Sequence, residues 1–166
     1  MKYLQSYPSS LQQQAQELIA ENKLGELLKR KYATAHKLRT DSTLFDYVTE
    51  IKNEYLRGSA AVGKVIYDSK LHVVKHALGL HTIISRVQGT KLKTKHEIKI
   101  AAMFKDAPLE FLRMITVHEL AHLKERQHDK AFYKLCIYME PSYHQYELDV
   151  RLYLTHLELS GERLWA

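Results

Sequence analysis

Residues 118–128 read HELAHLKERQH, and this run constrains the fold of the chain more than any other segment. Its first five residues follow the pattern HExxH, in which two histidines four positions apart meet on one face of a helix. On a helical wheel, His118 and His122 continue the apolar stripe that starts with Phe111 and Ile115. The run therefore predicts a helix whose two histidines point toward the interior of the protein.

Two inward-pointing imidazoles need either hydrogen-bond partners or a metal ion, because buried polar groups without partners are costly. Histidines at i and i+4 can each direct one nitrogen at the same zinc ion, and Glu119 beside the first can reach a water molecule near it. We therefore predict one zinc ion per chain, with Glu119 as the general base. The alternative is a pair of metal-free core histidines, which requires separate acceptors for both rings.

A catalytic zinc site keeps three protein ligands, so one more side chain must reach the ion. His128 stands ten residues after His118, an offset found in zinc proteases whose chain turns back just past the second histidine. That turn usually contains a glycine where this chain has Glu125. Glu147 is the rival third ligand, because another class of zinc peptidases takes a glutamate from a later helix. We favour His128, which directly precedes the predicted helix N-cap Asp129.

The hydrophobic period changes twice along the chain. Helical spacing of apolar residues predicts five helices, near 10–29, 43–57, 107–125, 129–139 and 143–159. The helix near 107–125 is expected to open with Asp106 and Pro108. Between the two groups of helices, β-branched and aromatic residues predict a hairpin of 65–67 and 71–74 and further strands near 81–88 and 96–104. This order predicts an α+β fold, in a single domain over residues 1–166 because no linker divides it.

The composition of the chain bears on its cellular location and on the kinds of molecule that it binds. Cys136 is the only cysteine, which excludes an intrachain disulfide and a multi-cysteine zinc site. Residues 1–20 lack the apolar run of a signal peptide, and no later segment approaches a membrane span, so we expect a cytoplasmic protein. The net charge of +6 favours contact with anions, nucleic acid among them, or reflects a solvated basic surface. The sequence leaves the oligomeric state open.

Candidate substrate contacts come from two further segments. Four lysines of one parity would line one face of an extended segment: Lys91, Lys93, Lys95 and Lys99. They form either the solvated side of an edge strand or an anion-binding surface beside the metal. For a peptide substrate, Tyr143 or His144 would donate a hydrogen bond to the developing oxyanion, and both are equally compatible with packing or surface roles.

The run VHELAHLKERQHDKAFYKLCIYMEPSYHQYELDVRLYL resembles the YgjP-like metal-dependent hydrolase family of bacteria. The likeness extends over nearly the whole chain, including YLQSYP and KVIYDSKLHVVKHALGLHT. The family is related to the SprT-like and Wss-like zinc proteases. The resemblance implies a minimal zincin fold, in which N-terminal helices and a small twisted sheet packed on the HExxH helix are followed by two further helices. It also implies metal ligands at His118, His122 and His128, with Glu119 as the base. Members carry both the label metallopeptidase and the label UTP pyrophosphatase.

Three functions are compatible with these residues. The first, which we favour on the motif and on the family resemblance, is a zinc metallopeptidase that uses a water activated by Glu119 and zinc. The second is a metal-dependent nucleotide pyrophosphatase that converts UTP to UMP and pyrophosphate, although a triple-histidine site suits magnesium or manganese poorly. The third is a non-catalytic zinc-containing module that binds nucleic acid. Glu119 argues against that module, as does the lack of a fourth protein ligand.

Overall fold

The computed structural model describes residues 1–71, 85–89 and 96–165, and for 85–89 it describes the backbone alone. Helices and strands in these ranges confirm the predicted α+β class. In chain order they are α1 (Ser9–Ala20), α2 (Leu24–Lys31), α3 (Asp41–Tyr55), β1 (Val62–Asp68), β2 (Ser85–Gly89), β3 (His96–Ala101), α4 (Leu109–Ala121), α5 (Lys130–Met139) and α6 (Tyr143–Ser160).

The predicted helix near 10–29 is wrong in one respect, because two helices, α1 and α2, occupy this range. The chain leaves α1 through Asn22, whose φ of 57° lies in the left-handed region. The N–H of Lys23 then donates to the carbonyl of Leu18 at 2.8 Å, which is the six-to-one hydrogen bond of a Schellman motif. Asparagine tolerates this conformation better than most residues. The helix therefore ends although the apolar spacing continues into Leu24.

The sheet has the strand order β1-β3-β2. β1 runs parallel to the central strand β3, and β2 runs antiparallel to it. The alternation predicted for β3 is confirmed, since Ile98 and Ile100 are fully buried while Lys99 is partly exposed. The sheet thus turns one apolar face toward the core.

Part of the predicted hairpin falls beyond the described ranges. The turn is present at Asp68, whose Oδ1 accepts the N–H of Lys70 at 2.8 Å. Residues 72–84 lie outside the described residues, and with them the second arm at 72–74 and the start of the strand predicted near 81–88. The described partner of β1 is β3.

The predicted strand near 96–104 is too long at its C-terminal end. β3 stops at Ala101, and a 3-10 turn covers Ala102–Asp106. This turn places Phe104 in the core with no exposed surface. Asp106 does not cap the next helix but pairs its carboxylate with two arginines, and α4 begins directly after Pro108.

Helix α4 lies at the centre of the packing. It contacts β2 and β3 of the sheet and also α5 and α6, while α3 covers β1. The predicted packing of the sheet on the HExxH helix and the two further C-terminal helices are confirmed. Most residues of α4 are buried, so the apolar stripe seen in the sequence is one part of a helix that is covered nearly all round. His118 and His122, at its C-terminal end, stay partly exposed. Within the described ranges, no helix combines the length and apolar character needed to cross a membrane.

A buried histidine, His36, fixes the approach to α4. Its backbone N–H donates to the carbonyl of Ala107 at 3.0 Å. Its ring Nε2 lies 2.7 Å from the carbonyl oxygen of Phe104, which can only accept, so Nε2 carries a proton. Its Nδ1 accepts the N–H of Leu38 at 2.9 Å. The surroundings therefore suit the neutral ring. Burial lowers the pKa of His36 below its usual range, although the hydrogen bond to Phe104 opposes that shift.

Acid is therefore expected to destabilise the protein through His36. Below the unfolded-state pKa of about 6.5, the unfolded chain binds a proton that the folded ring resists. The free energy of unfolding should accordingly fall as the pH falls from about 7 toward about 5. Urea unfolding of the metal-free wild type and of His36→Gln measures this, because contributions from the other histidines cancel in the comparison. We expect the variant to be less stable near neutral pH but to lose less stability in acid. Parallel pH profiles for the two proteins would contradict the assignment.

Candidate metal centre

The last turn of α4 brings two histidines together. His118 lies within the helix and His122 is its C-cap, so their side chains are one turn apart on the same face. Their Nε2 atoms are 3.3 Å apart. This is the arrangement that the HExxH spacing predicts.

The chain then turns back without a glycine. In the described part of the chain, Asn22 is the one non-glycine residue with positive φ, so Glu125 does not adopt the left-handed conformation that a glycine would supply here. The N–H of Glu125 instead donates to the carbonyl of Ala121 at 2.9 Å, which keeps the turn tight. Asp129 caps α5 by accepting the N–H of Phe132 at 2.9 Å. A short turn held at both ends thus carries His128.

This turn brings His128 to the other two histidines. Its Nε2 atom is 3.0 Å from that of His122 and 3.3 Å from that of His118. A tetrahedral ion with bonds of about 2.0–2.1 Å holds its ligand atoms about 3.3–3.4 Å apart. The three imidazole nitrogens therefore have nearly the spacing of three ligands on one ion. This donor set fits a metal, and the three residues form a possible metal site.

The protonation of His122 also suits a metal ligand. Its Nδ1 lies 2.9 Å from the backbone carbonyl of Glu125, which can only accept, so Nδ1 carries the proton and Nε2 keeps a lone pair. Burial lowers the pKa of His122 below its usual range, while the hydrogen bond to the Glu125 carbonyl raises it. The neutral ring is the form that can bind a metal.

Phe132 forms the apolar wall of the site, a role that the sequence did not predict. Its fully buried ring lies 4.6 Å from the ring centre of His122 and 4.9 Å from those of His118 and His128. One aromatic side chain thus contacts all three histidines and restricts their rotation. The available signal was its position as an apolar residue in the first turn of α5, three residues after the N-cap Asp129.

Glu119, predicted as the base, is 1 % exposed. Its Oε1 atom lies 4.0 Å from Nε2 of His118, the nitrogen that faces the other two histidines. The carboxylate is therefore beside the histidine cluster and shielded from bulk water. From this position it can accept a proton from a water molecule held at the cluster.

The hydroxyl of Tyr143 contacts Nδ1 of His118, the ring nitrogen that faces away from the other two histidines. The tyrosine ring is fully buried, and its hydroxyl is 2.8 Å from Nδ1 of His118 and 3.3 Å from Oε2 of Glu147. Burial raises the pKa of Tyr143 well above its usual range, and the charge of Glu147 adds to this rise. Tyr143 therefore contacts the back of the histidine cluster, whereas the oxyanion role predicted for it requires a hydroxyl that faces substrate.

Among the described residues, the other predicted residues are not part of the histidine cluster. Glu147 contacts Tyr143. Within the described ranges, the group that could hold a metal ion contains the three histidines and not Glu147. His144 is exposed, with its Nδ1 at 3.9 Å from Oε1 of Glu147. Lys99 lies in the central strand, 3.9 Å from a carboxylate oxygen of Glu97. The three other lysines are outside the described residues: Lys91, Lys93 and Lys95.

Two comparisons with known proteins bear on this site. A family model described as "YgjP-like, metallopeptidase domain" matches residues 89–151, which include the three histidines, Glu119, Tyr143 and Glu147. The chain is also similar to a protein of Escherichia coli (strain K12) named UTP pyrophosphatase, with 53% identity over 164 residues. That alignment covers 99% of this chain and 98% of the relative. No solved structure matches the chain.

Proposed function

The chain belongs to the YgjP-like family, and from this premise we propose that it is a zinc-dependent hydrolase that cleaves UTP to UMP and pyrophosphate. The hydrolase class rests on one observation, the cluster of three imidazole Nε2 atoms 3.0–3.3 Å apart with a buried glutamate beside it. The choice of substrate rests on the full-length relative named UTP pyrophosphatase. The name of this relative leads us to prefer the pyrophosphatase over the metallopeptidase, which the motif and the family resemblance had favoured.

The reaction assigns a role to each residue of the site. A zinc ion held by His118, His122 and His128 would polarise a phosphoryl oxygen and acidify nearby water. Glu119 accepts the proton from the attacking water. The water oxygen bonds to the α-phosphorus while the bond from that phosphorus to the bridging oxygen breaks, and pyrophosphate leaves with the bridging oxygen. Phe132 shields the histidines from solvent on one side.

Exposed positive charge beside the site supports an anionic substrate. Lys124 and Arg126 lie in the turn that joins His122 to His128, and both are exposed. Cations next to a metal centre attract a triphosphate and can contact its non-reacting phosphates. Lys91, Lys93 and Lys95 remain predicted phosphate contacts.

A metallopeptidase is the second candidate, and the HExxH run and the family description favour it. The same zinc and the same base would serve peptide hydrolysis, so the site residues do not separate the two reactions. The exposed cations Lys124 and Arg126 favour a triphosphate over an uncharged peptide.

An assay with both substrate classes tests the proposal. Zinc-loaded protein is incubated with UTP and, separately, with casein peptides, and the release of UMP with pyrophosphate is compared with the release of new peptide ends. We expect turnover of UTP, loss of turnover after chelation of the metal, and recovery when zinc is returned. Cleavage of peptides alone would overturn the proposal in favour of the peptidase. Inactivity on both substrates would favour the non-catalytic module.

A further inference from the structure

The Nδ1 atoms of His118 and His122 have different kinds of hydrogen-bond partner. His122 donates from Nδ1 to a backbone carbonyl, that of Glu125, which belongs to the same turn. His118 instead meets the side-chain hydroxyl of Tyr143, which comes from α6. The orientation of one histidine in the cluster thus depends on a side chain from another helix. No motif in the sequence required this contact.

Tyr143 is itself held by a second residue of α6. Glu147 lies one turn further along that helix, so the two side chains share a face. The tyrosine hydroxyl lies 2.8 Å from Nδ1 of His118 and 3.3 Å from Oε2 of Glu147. The ring of Tyr143 has no exposed surface, and the Glu147 side chain is 16% exposed. Tyr143 is therefore placed between a ring nitrogen and a largely buried carboxylate.

The chemistry of these groups gives the chain of hydrogen bonds a direction. A carboxylate only accepts, so the single hydroxyl proton of Tyr143 is donated to Glu147. The hydroxyl oxygen is then left to accept from His118, which requires the proton of that ring to be on Nδ1. Nε2 of His118 consequently keeps its lone pair, and this nitrogen is the one that faces His122 and His128. The direction of the bonds selects the tautomer that can bind a metal.

We propose that Tyr143 and Glu147 are positioning residues of the metal centre, which hold His118 in the tautomer and orientation for zinc binding. This inference rests on the proposed zinc site but not on the identity of the substrate. Residues that hydrogen-bond to a metal ligand orient its ring and raise its basicity, and their loss typically weakens metal binding by about 10–100-fold. Tyr143 acts through His118, and Glu147 acts through Tyr143.

Zinc affinity, measured by competition with a chelator at fixed pH, tests this proposal without any assay of activity. Tyr143→Phe removes the hydroxyl and keeps the ring, and we expect it to bind zinc about 10–100-fold more weakly than the wild type. Glu147→Gln keeps an acceptor for the hydroxyl but removes the charge. Its zinc affinity should therefore lie between that of the wild type and that of Tyr143→Phe. Tyr138→Phe is the matched control. This exposed tyrosine of α5 packs its ring against Tyr55 and takes no part in the hydrogen bonds of His118, Tyr143 and Glu147, so the zinc affinity of the variant should equal that of the wild type.

Two further measurements separate positioning from general stability. In cobalt-substituted protein, the ligand-field absorption bands should shift in Tyr143→Phe and not in Tyr138→Phe, because the geometry around His118 changes only in the former. Unchanged bands together with wild-type zinc affinity would overturn the proposal. If Tyr143→Phe does not fold, Glu147→Gln decides, and wild-type affinity in that variant would overturn it equally. Wild-type protein without zinc affinity would instead refute the proposed function, which is a distinguishable result.

Discussion

Replacing Glu119 with glutamine is expected to reduce the turnover of UTP by about 10²–10⁴-fold, the usual contribution of general-base catalysis. Glutamine has nearly the shape of glutamate but cannot take a proton from water. The side chain is almost completely buried and lies 4.0 Å from Nε2 of His118, so a base from bulk solvent has little access to that position. Zinc content should stay at one ion per chain, because the three histidines are unchanged. Steady-state release of pyrophosphate and metal analysis measure the two quantities.

Glu110→Gln is the matched control for this experiment. It makes the same substitution in the first turn of the same helix, away from the histidines. Its turnover should equal that of the wild type. Full turnover in Glu119→Gln would refute the base role of this residue, whichever substrate the protein cleaves. Loss of zinc from Glu119→Gln would assign the residue to metal binding instead.

The second large effect is expected for His128→Ala, which removes the third predicted ligand. Structural zinc sites bind with about 10–16 kcal/mol over four ligands, so one ligand accounts for about 2.5–4 kcal/mol, or on the order of a hundred- to a thousand-fold in affinity. The Nε2 atom of His128 lies 3.0 Å and 3.3 Å from those of His122 and His118, so no other described side chain takes its place in the cluster. Chelator competition measures the loss, and hydrolysis should fall with it.

His156→Ala controls for the loss of a histidine elsewhere, since this residue lies near the C-terminal end of α6. Its zinc affinity should equal that of the wild type. Comparison with Glu147→Gln settles the rivalry between the two candidate third ligands. If Glu147→Gln lost more affinity than His128→Ala, the glutamate and not the histidine would be the third ligand.

The sequence predicted the structure best where the regular spacing of residues in one helix or strand is sufficient. The spacing of His118 and His122 requires no knowledge of the rest of the molecule, because the pitch of a helix alone places i and i+4 together. The same is true of the alternation of Ile98, Lys99 and Ile100 in β3. The apolar spacing predicted a single helix near 10–29, but Asn22 in the left-handed conformation ends α1 without any break in that spacing. The predicted strand was also too long after Ala101, where a 3-10 turn follows and places Phe104 in the core.

Such local patterns could not predict the contacts between segments that are distant in the sequence. The sequence offered Tyr143 or His144 as a donor to the oxyanion and left a packing or surface role equally open for both. The structure places the hydroxyl of Tyr143 on Nδ1 of His118, and that nitrogen could be identified only once α6 was packed against α4. Phe132 was visible as an apolar residue of α5, but its contact with three histidine rings depends on the turn after α4. The acceptor for His122 is a backbone carbonyl, which has no signature in the sequence at all.

By itself, the sequence determined the α+β class, the helix that carries His118 and His122, the carboxylate of Glu119 beside them, and His128 as the favoured third member. These features depend on residues within eleven positions of one another or on regular periods, so local geometry suffices. The tertiary structure alone decided that the turn through Glu125 closes without a glycine, that the three Nε2 atoms come within 3.3 Å, and that α6 supplies the side-chain partner of His118. The reason is physical: these features arise where separate elements pack together, and their distances depend on the whole core.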